Sequence, residues 1–91
     1  MIIKFNPQKS NKVTTASVYS NVLTLNGESV NLLDIPNGAT AYNDYVTIDK
    51  DISGNVTIDI LWHYVDATTI NEYPKDLIID NGNIYPKEST I

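Results

Sequence analysis

Turn-forming residues interrupt this chain at short intervals, and that punctuation restricts its fold more than any other feature. Asn6-Pro7, Ser20-Asn21, Asn26-Gly27, Pro36-Asn37-Gly38, Ser53-Gly54-Asn55, Tyr73-Pro74 and Asn81-Gly82 leave only short apolar runs between them. Runs of that length suit strands joined by tight turns rather than helices that must bury a face over several turns. The runs are rich in Ile, Val and Thr, whose branched side chains favour a pleated backbone. Ala, Arg, Gln and Glu, the better helix formers, are scarce.

Hairpin arithmetic tests the strand reading. A two-residue turn at Asn26-Gly27 places Leu25 opposite Glu28 and Leu23 opposite Val30. A second at Ser20-Asn21 places Val18 opposite Leu23 and Ala16 opposite Leu25. Ala16, Val18, Leu23, Leu25, Val30 and, by alternation, Leu32 then share one face, with Thr15, Ser17, Thr24, Ser29 and Asn31 on the other. A one-residue slip would scramble this sorting, so a three-stranded meander is expected over residues 13–33. Glu28 is the one charge on the apolar face, and it stands at the turn.

In YVTIDKDISGNVTIDILW a two-residue turn at Ser53-Gly54 fails, because it opposes Asp49 to Ile58. A three-residue loop, Ile52-Ser53-Gly54, with Gly54 left-handed, pairs Val46 with Ile60 and Ile48 with Ile58. Val56 and Trp62 extend that stripe, while Asp49, Thr57 and Asp59 face away. The segment DLIIDNGNIYP reads as a third hairpin turning at Asn81-Gly82, with Ile79 opposite Ile84 and Ile78 opposite Tyr85. Segments 37–43 and 64–75 read as loops, and any helix is confined to a turn or two within them. The expectation is one all-β domain over residues 1–91, a small antiparallel β-sandwich or open barrel of about six to eight short strands.

Composition narrows the function. A chain of 91 residues makes one domain. It has no cysteine, which excludes disulfides and thiolate zinc sites. The net charge of −5, with six lysines scattered among eleven acids, supplies no basic face for nucleic acid or an anionic membrane. The start, MIIKFNPQKSNK, lacks the apolar stretch of a signal peptide, and no run approaches the roughly 20 apolar residues of a membrane span. A soluble protein of the host cytoplasm, or of a virion, is expected.

Few residues suggest chemistry. His63 is the lone histidine. Alternation puts Asp59, Leu61 and His63 on one strand face, so Leu61 separates the nearest acid from the imidazole, and no serine stands out as an activated nucleophile. Asp49, Asp51 and Ser53 carry the D-x-D-x-S-G spacing that opens a calcium loop. Position 60 is Ile, however, where the bidentate Glu belongs, and the hairpin already accounts for Gly54. The loop acids Asp34, Asp44, Asp66 and Glu72 show no pairing that would fix a glycosidase separation. No catalytic residue, metal or cofactor is expected. Six tyrosines against one phenylalanine are unusual. Trp62, Tyr64, Tyr73 and Tyr85 would make either an aromatic platform for a sugar or protein, or a core tryptophan with a rim of tyrosines. The 77–85 segment and the N-terminal Ile2 to Phe5 are expected as exposed sheet edges. Tyr73, Ile78 and Tyr85 are the expected interaction surface, for a second copy or a protein partner.

The stretch LTLNGESVNLLDIPNGAT carries Asn26-Gly27-Glu28, then an apolar segment from Val30 to Leu33, then Pro36-Asn37-Gly38-Ala39. Further on come Ser53-Gly54, the alternating strand from Val56 to Leu61, Tyr73-Pro74, Leu77 to Ile79, and Asn81-Gly82. In order and spacing these pieces resemble a family of small phage and prophage proteins encoded in tail-gene regions. The chain departs from that pattern at Trp62-His63-Tyr64, where the family tends to have Pro-His-Gly. The resemblance implies a non-enzymatic, tail-associated structural or assembly component acting through protein–protein contacts. It transfers no catalytic residues. The alternative is a small phage-encoded inhibitor of a host protein, such as a defence complex. A calcium- or glycan-binding module is a third reading.

Overall fold

The structure, a computed structural model, describes residues 1–65 and 75–85. Its strands are β1 (Ile2–Lys9), β2 (Ala16–Tyr19), β3 (Val22–Leu25), β4 (Glu28–Asn31), β5 (Thr40–Tyr42), β6 (Val46–Lys50), β7 (Val56–Tyr64), β8 (Leu77–Ile78) and β9 (Gly82–Ile84). They form two sheets, ordered β5-β6-β7-β1-β8 and β4-β3-β2-β9. Apolar side chains from both sheets share one core, and Ile3, Val18, Leu23, Ile58 and Ile60 are wholly shut off from solvent. The fold is all-β, as the turn spacing predicts.

The local hairpins form in the expected registers. Ala16 pairs with Leu25, Val18 with Leu23, Leu23 with Val30 and Leu25 with Glu28. Both turns need two left-handed residues in a row, and Ser20, Asn21, Asn26 and Gly27 all have positive φ. Val46 pairs with Ile60 and Ile48 with Ile58. The loop between them closes through Asp51 N–H to the Asn55 carbonyl (2.9 Å), with Gly54 at φ +88°. Leu32 is buried as expected, though in a 3₁₀ turn, Leu32–Asp34, that follows β4 and lies outside the segments 37–43 and 64–75 to which a helical turn was expected to be confined; Asn31 caps it by accepting the Leu33 N–H.

Long-range pairing departs from the expectation in three places. β1 is no exposed edge at Ile2 to Phe5. It runs parallel to β7, with Ile3 beside Ile58, Phe5 beside Ile60 and Pro7 beside Trp62. The alternation Ile3, Phe5 against Ile2, Lys4 buries one side of β1, and Phe5 meets the Trp62 ring edge-on at 5.2 Å. Asn6-Pro7, a turn signal in isolation, lies within this strand. β8 pairs only with Ile2 and Ile3, so at Pro7 the strand has one bonded neighbour, a position that tolerates a missing N–H.

Residues 77–85, second, do not pair with each other. Leu77 and Ile78 join β1, while Gly82 to Ile84 join β2 with Ile84 beside Ala16. Leu77 and Ile84 each seal a different sheet at the core. The Asn81 side chain accepts the Ser20 N–H (2.8 Å) rather than shaping a hairpin turn. Gly82, at φ +145°, takes a backbone that other residues rarely adopt. Residues 79–81 thus bridge the two sheets along one side of the sandwich. Third, the segment 37–43 contains a strand, β5, added outside β6.

Thr14 joins the layers. β6 ends its pairing with β7 at Val46, and the Leu61 N–H still reaches the Tyr45 carbonyl. Beyond that point Thr14, on the crossover from β1 to β2, takes the place of a strand. Its N–H donates to the His63 carbonyl (3.1 Å), its hydroxyl donates to the Leu61 carbonyl (3.2 Å), and the same oxygen accepts the His63 N–H (2.8 Å). Thr14 is the one buried polar residue among those described, and each of its bonds satisfies a ladder group of β7. Thr14→Val keeps the shape and strands the Leu61 carbonyl and the His63 N–H. It should cost about 1–3 kcal/mol in denaturant unfolding, most of it recovered by Thr14→Ser. A valine variant as stable as the parent would contradict this role.

Candidate functional site

The candidate residues fall into three places. At the β6–β7 turn, the D-x-D-x-S-G spacing serves the turn. Asp49 Oδ1 accepts the hydroxyl of Thr40 across the β5–β6 pair (2.6 Å). Asp51 Oδ1 accepts the N–H groups of Ser53 (2.9 Å) and Asn55 (2.8 Å), and its Oδ2 accepts the Asn55 side-chain amide (3.1 Å). The two carboxylates thus bind donors of the chain itself. Among the described residues no three His, Asp or Glu side chains converge as metal ligands.

The aromatic residues divide. Trp62 is a core residue packed on Phe5, and Tyr64 is half-buried against the core. Neither belongs to a surface platform. Tyr85 is about half exposed, and Tyr73, with Asp66 and Glu72, lies outside the described residues. Ile78 is 81% exposed. Its partner across the β1–β8 pair is Ile2, also exposed, because both lie on the face opposite the buried Ile3 and Leu77. This apolar pair stands at the β8 edge of its sheet and borders a hollow of about 560 Å³ that Val56 and Thr57 also line.

A second cleft, of about 570 Å³, lies between the sheets. Its floor is apolar: Leu23, Leu25 and Val30 from β3 and β4, and Val46 from β6. Lys12, Glu28, Tyr45 and His63 stand at its rim, and the Tyr45 and His63 rings meet edge-to-face at 6.4 Å. Asn26 and Asn43 also line it, and both spend their side-chain carbonyls on backbone. Asn26 Oδ1 accepts the Thr15 N–H, and Asn43 Oδ1 accepts those of Tyr45 and Val46. The volume falls within the range of ligand-binding sites. Sequence reasoning did not assemble this cleft, whose lining comes from four separate stretches, 12–13, 23–30, 43–46 and 63. One signal pointed to it: Glu28, the single charge on the apolar face of the meander.

Asp51 also gives the domain a pH signature. The Asn55 N–H, followed by the Asn55 side-chain amide, favours the charged form and holds the carboxyl below its ordinary value of 3.8. A depressed folded-state pKa stabilises the fold above the unfolded value, and that contribution is lost as pH falls through the folded one. The melting-temperature gap between the parent and Asp51→Ala should be widest at neutral pH and narrow as pH drops below 3.8. A gap independent of pH would contradict this. No protein-family model, curated protein or solved structure matches the chain.

Proposed function

We propose that this chain is a non-enzymatic component of a phage or prophage tail, or of its assembly, and that it acts through protein–protein contact. The observation carrying the reading is the pair Ile2 and Ile78, two large apolar side chains left outside the core side by side at a sheet edge. Burying such side chains against a partner is favourable by roughly 25 cal/mol per Å² of apolar surface removed from water. Tyr85, on the same C-terminal segment, adds the kind of half-apolar side chain that interfaces favour. The resemblance of residues 23–40 and of the later turn and strand pieces to tail-region proteins supplies the biological setting.

The test is quantitative mass spectrometry of gradient-purified particles and of tail intermediates from a lysogen carrying the gene. The chain should be found there in fixed ratio to a tail protein, and Ile78→Lys, an exposed change, should deplete it several-fold. Its absence from both fractions, or its recovery bound to a host protein alone, would overturn the tail reading.

A further inference from the structure

On the side of the sandwich opposite the β8–β9 bridge, residues 32–39 carry the chain from one sheet to the other, with Leu32 and Ile35 buried in the core. The edges on that side are β4 in one sheet and β5 in the other. The two-residue turn at Asn26-Gly27 fixes which groups of β4 face outward. Glu28 and Val30 exchange bonds with Leu25 and Leu23, so the N–H and C=O of Ser29 and Asn31 point away from β3. The Leu32 N–H, donating to the Asn21 carbonyl, fits the same alternation. Among the described residues nothing bonds the N–H or the carbonyl of Ser29 or the N–H of Asn31, whereas the Asn31 carbonyl accepts the first bond of the 3₁₀ turn that Asn31 caps. β5 also has an outer edge, but only β4 combines one with the cleft: Val30, on its inner face, forms part of the apolar floor.

We propose that β4 receives an extended segment of a partner protein as an added strand. Apolar side chains at alternate positions of that segment enter the cleft over Val30, and a basic side chain lies beside Glu28. Unpaired N–H groups at every second residue, about 6.8 Å apart, with the Ser29 carbonyl beside the first, are matched by another polypeptide backbone. A sugar offers no such repeat. A second copy pairing β4 with β4 is a poorer fit. Antiparallel pairing centred on Ser29 sets Glu28 of each copy against Val30 of the other, so that an acid rather than an apolar side chain meets the floor, between two chains that each carry a net charge of −5. The self-pair would leave the apolar floor unfilled beyond Val30. The basic side chain follows from charge: Glu28 is exposed on β4 itself, the rim's Lys12 belongs to the β1–β2 crossover, and the chain carries a net charge of −5. This contact goes beyond the proposed tail role and lies on a different surface from Ile2 and Ile78.

The probe is a library of displayed random peptides selected on the full chain. The tightest peptide is then synthesised and titrated against the protein, with the backbone amides followed by NMR. Selected peptides should alternate apolar residues and carry Lys or Arg, and their binding should slow hydrogen exchange at Ser29 and Asn31. Asn31→Pro removes one outward N–H at a φ of −84°, close to what proline adopts. It should weaken binding about tenfold. Asn31→Ala loses the same capping bond to Leu33 yet keeps the N–H, and should bind nearly as the parent does. Glu28→Lys should turn the selection toward acidic peptides. A selection with no enriched pattern overturns the proposal, as does a peptide indifferent to Asn31→Pro. A peptide that instead perturbs Ile2 and Ile78 removes the β4 site while leaving the contact surface of the proposed function in place. Self-association blocked by Asn31→Pro would show the occupant to be a second copy and overturn the assignment to a foreign strand.

Discussion

The parallel ladder between β1 and β7 holds the rest of the structure in place. It pairs Ile2 through Lys9 with Thr57 through Tyr64, the longest pairing among the described residues, and it seats Ile3, Phe5, Ile58 and Ile60 in the core. Parallel strands cannot be joined by a tight turn. Here the connection is the whole of residues 10–55, which builds the second sheet through β2, β3 and β4 and returns to the first through β5 and β6. Three of the four strands of the β4-β3-β2-β9 sheet, β2, β3 and β4, therefore lie inside the crossover, and β9 joins β2 from the C-terminal side. The position of that sheet over the core depends on the chain leaving β1 at one end of the ladder, and there Thr14 bonds the crossover to β7. Forming this ladder requires closing a long loop first, so folding should be slow for the size of the chain.

What was legible in the sequence follows from the same distinction. The meander and the β6–β7 hairpin were readable because turn chemistry and alternation are both local: Asn26-Gly27 and Ile52-Ser53-Gly54 fix a register, and the apolar residues either sort to one face or do not. β1 has no local partner, so nothing nearby in sequence signals that it lies inside a sheet. Pro7 added to the difficulty, because its tolerance depends on β8 stopping at Ile3. The Asn81-Gly82 pair imitates a hairpin turn. Its environment decides otherwise, with Asn81 held by Ser20 and the flanking Leu77 and Ile84 drawn to opposite sheets.

The same holds for the candidate sites. Ile78 was legible as an exposed apolar residue on a short strand, but its neighbour Ile2 is a long-range partner. The calcium-like spacing was visible in sequence. What that spacing does, binding the turn's own N–H groups and the Thr40 hydroxyl, required the register of β5 against β6. The cleft needed still more, since its lining joins β3, β4, β6, β7 and the β1–β2 crossover. Its one sequence trace, Glu28, is a local exception to a local rule, and such exceptions mark places where packing is not the only demand on a residue.

Each side of the sandwich is crossed by a connection between its edge strands. On one, residues 79–81 tie β8 to β9 and so link the two sheets. On the other, residues 32–39 tie β4 to β5, with Leu32 and Ile35 in the core, and the cleft lies against β4. The central claim is that the β1–β7 ladder is the most stable unit and that the meander depends on it. Native-state hydrogen exchange tests this most directly. The account predicts that the amides of Ile58 and Ile60 and the bonded amides of β1 exchange last and through the same global opening, with the amides of β2 to β4 exchanging no more slowly. Protection that persists in residues 16–31 while β1 exchanges rapidly would show a meander that stands without the ladder, and would contradict it.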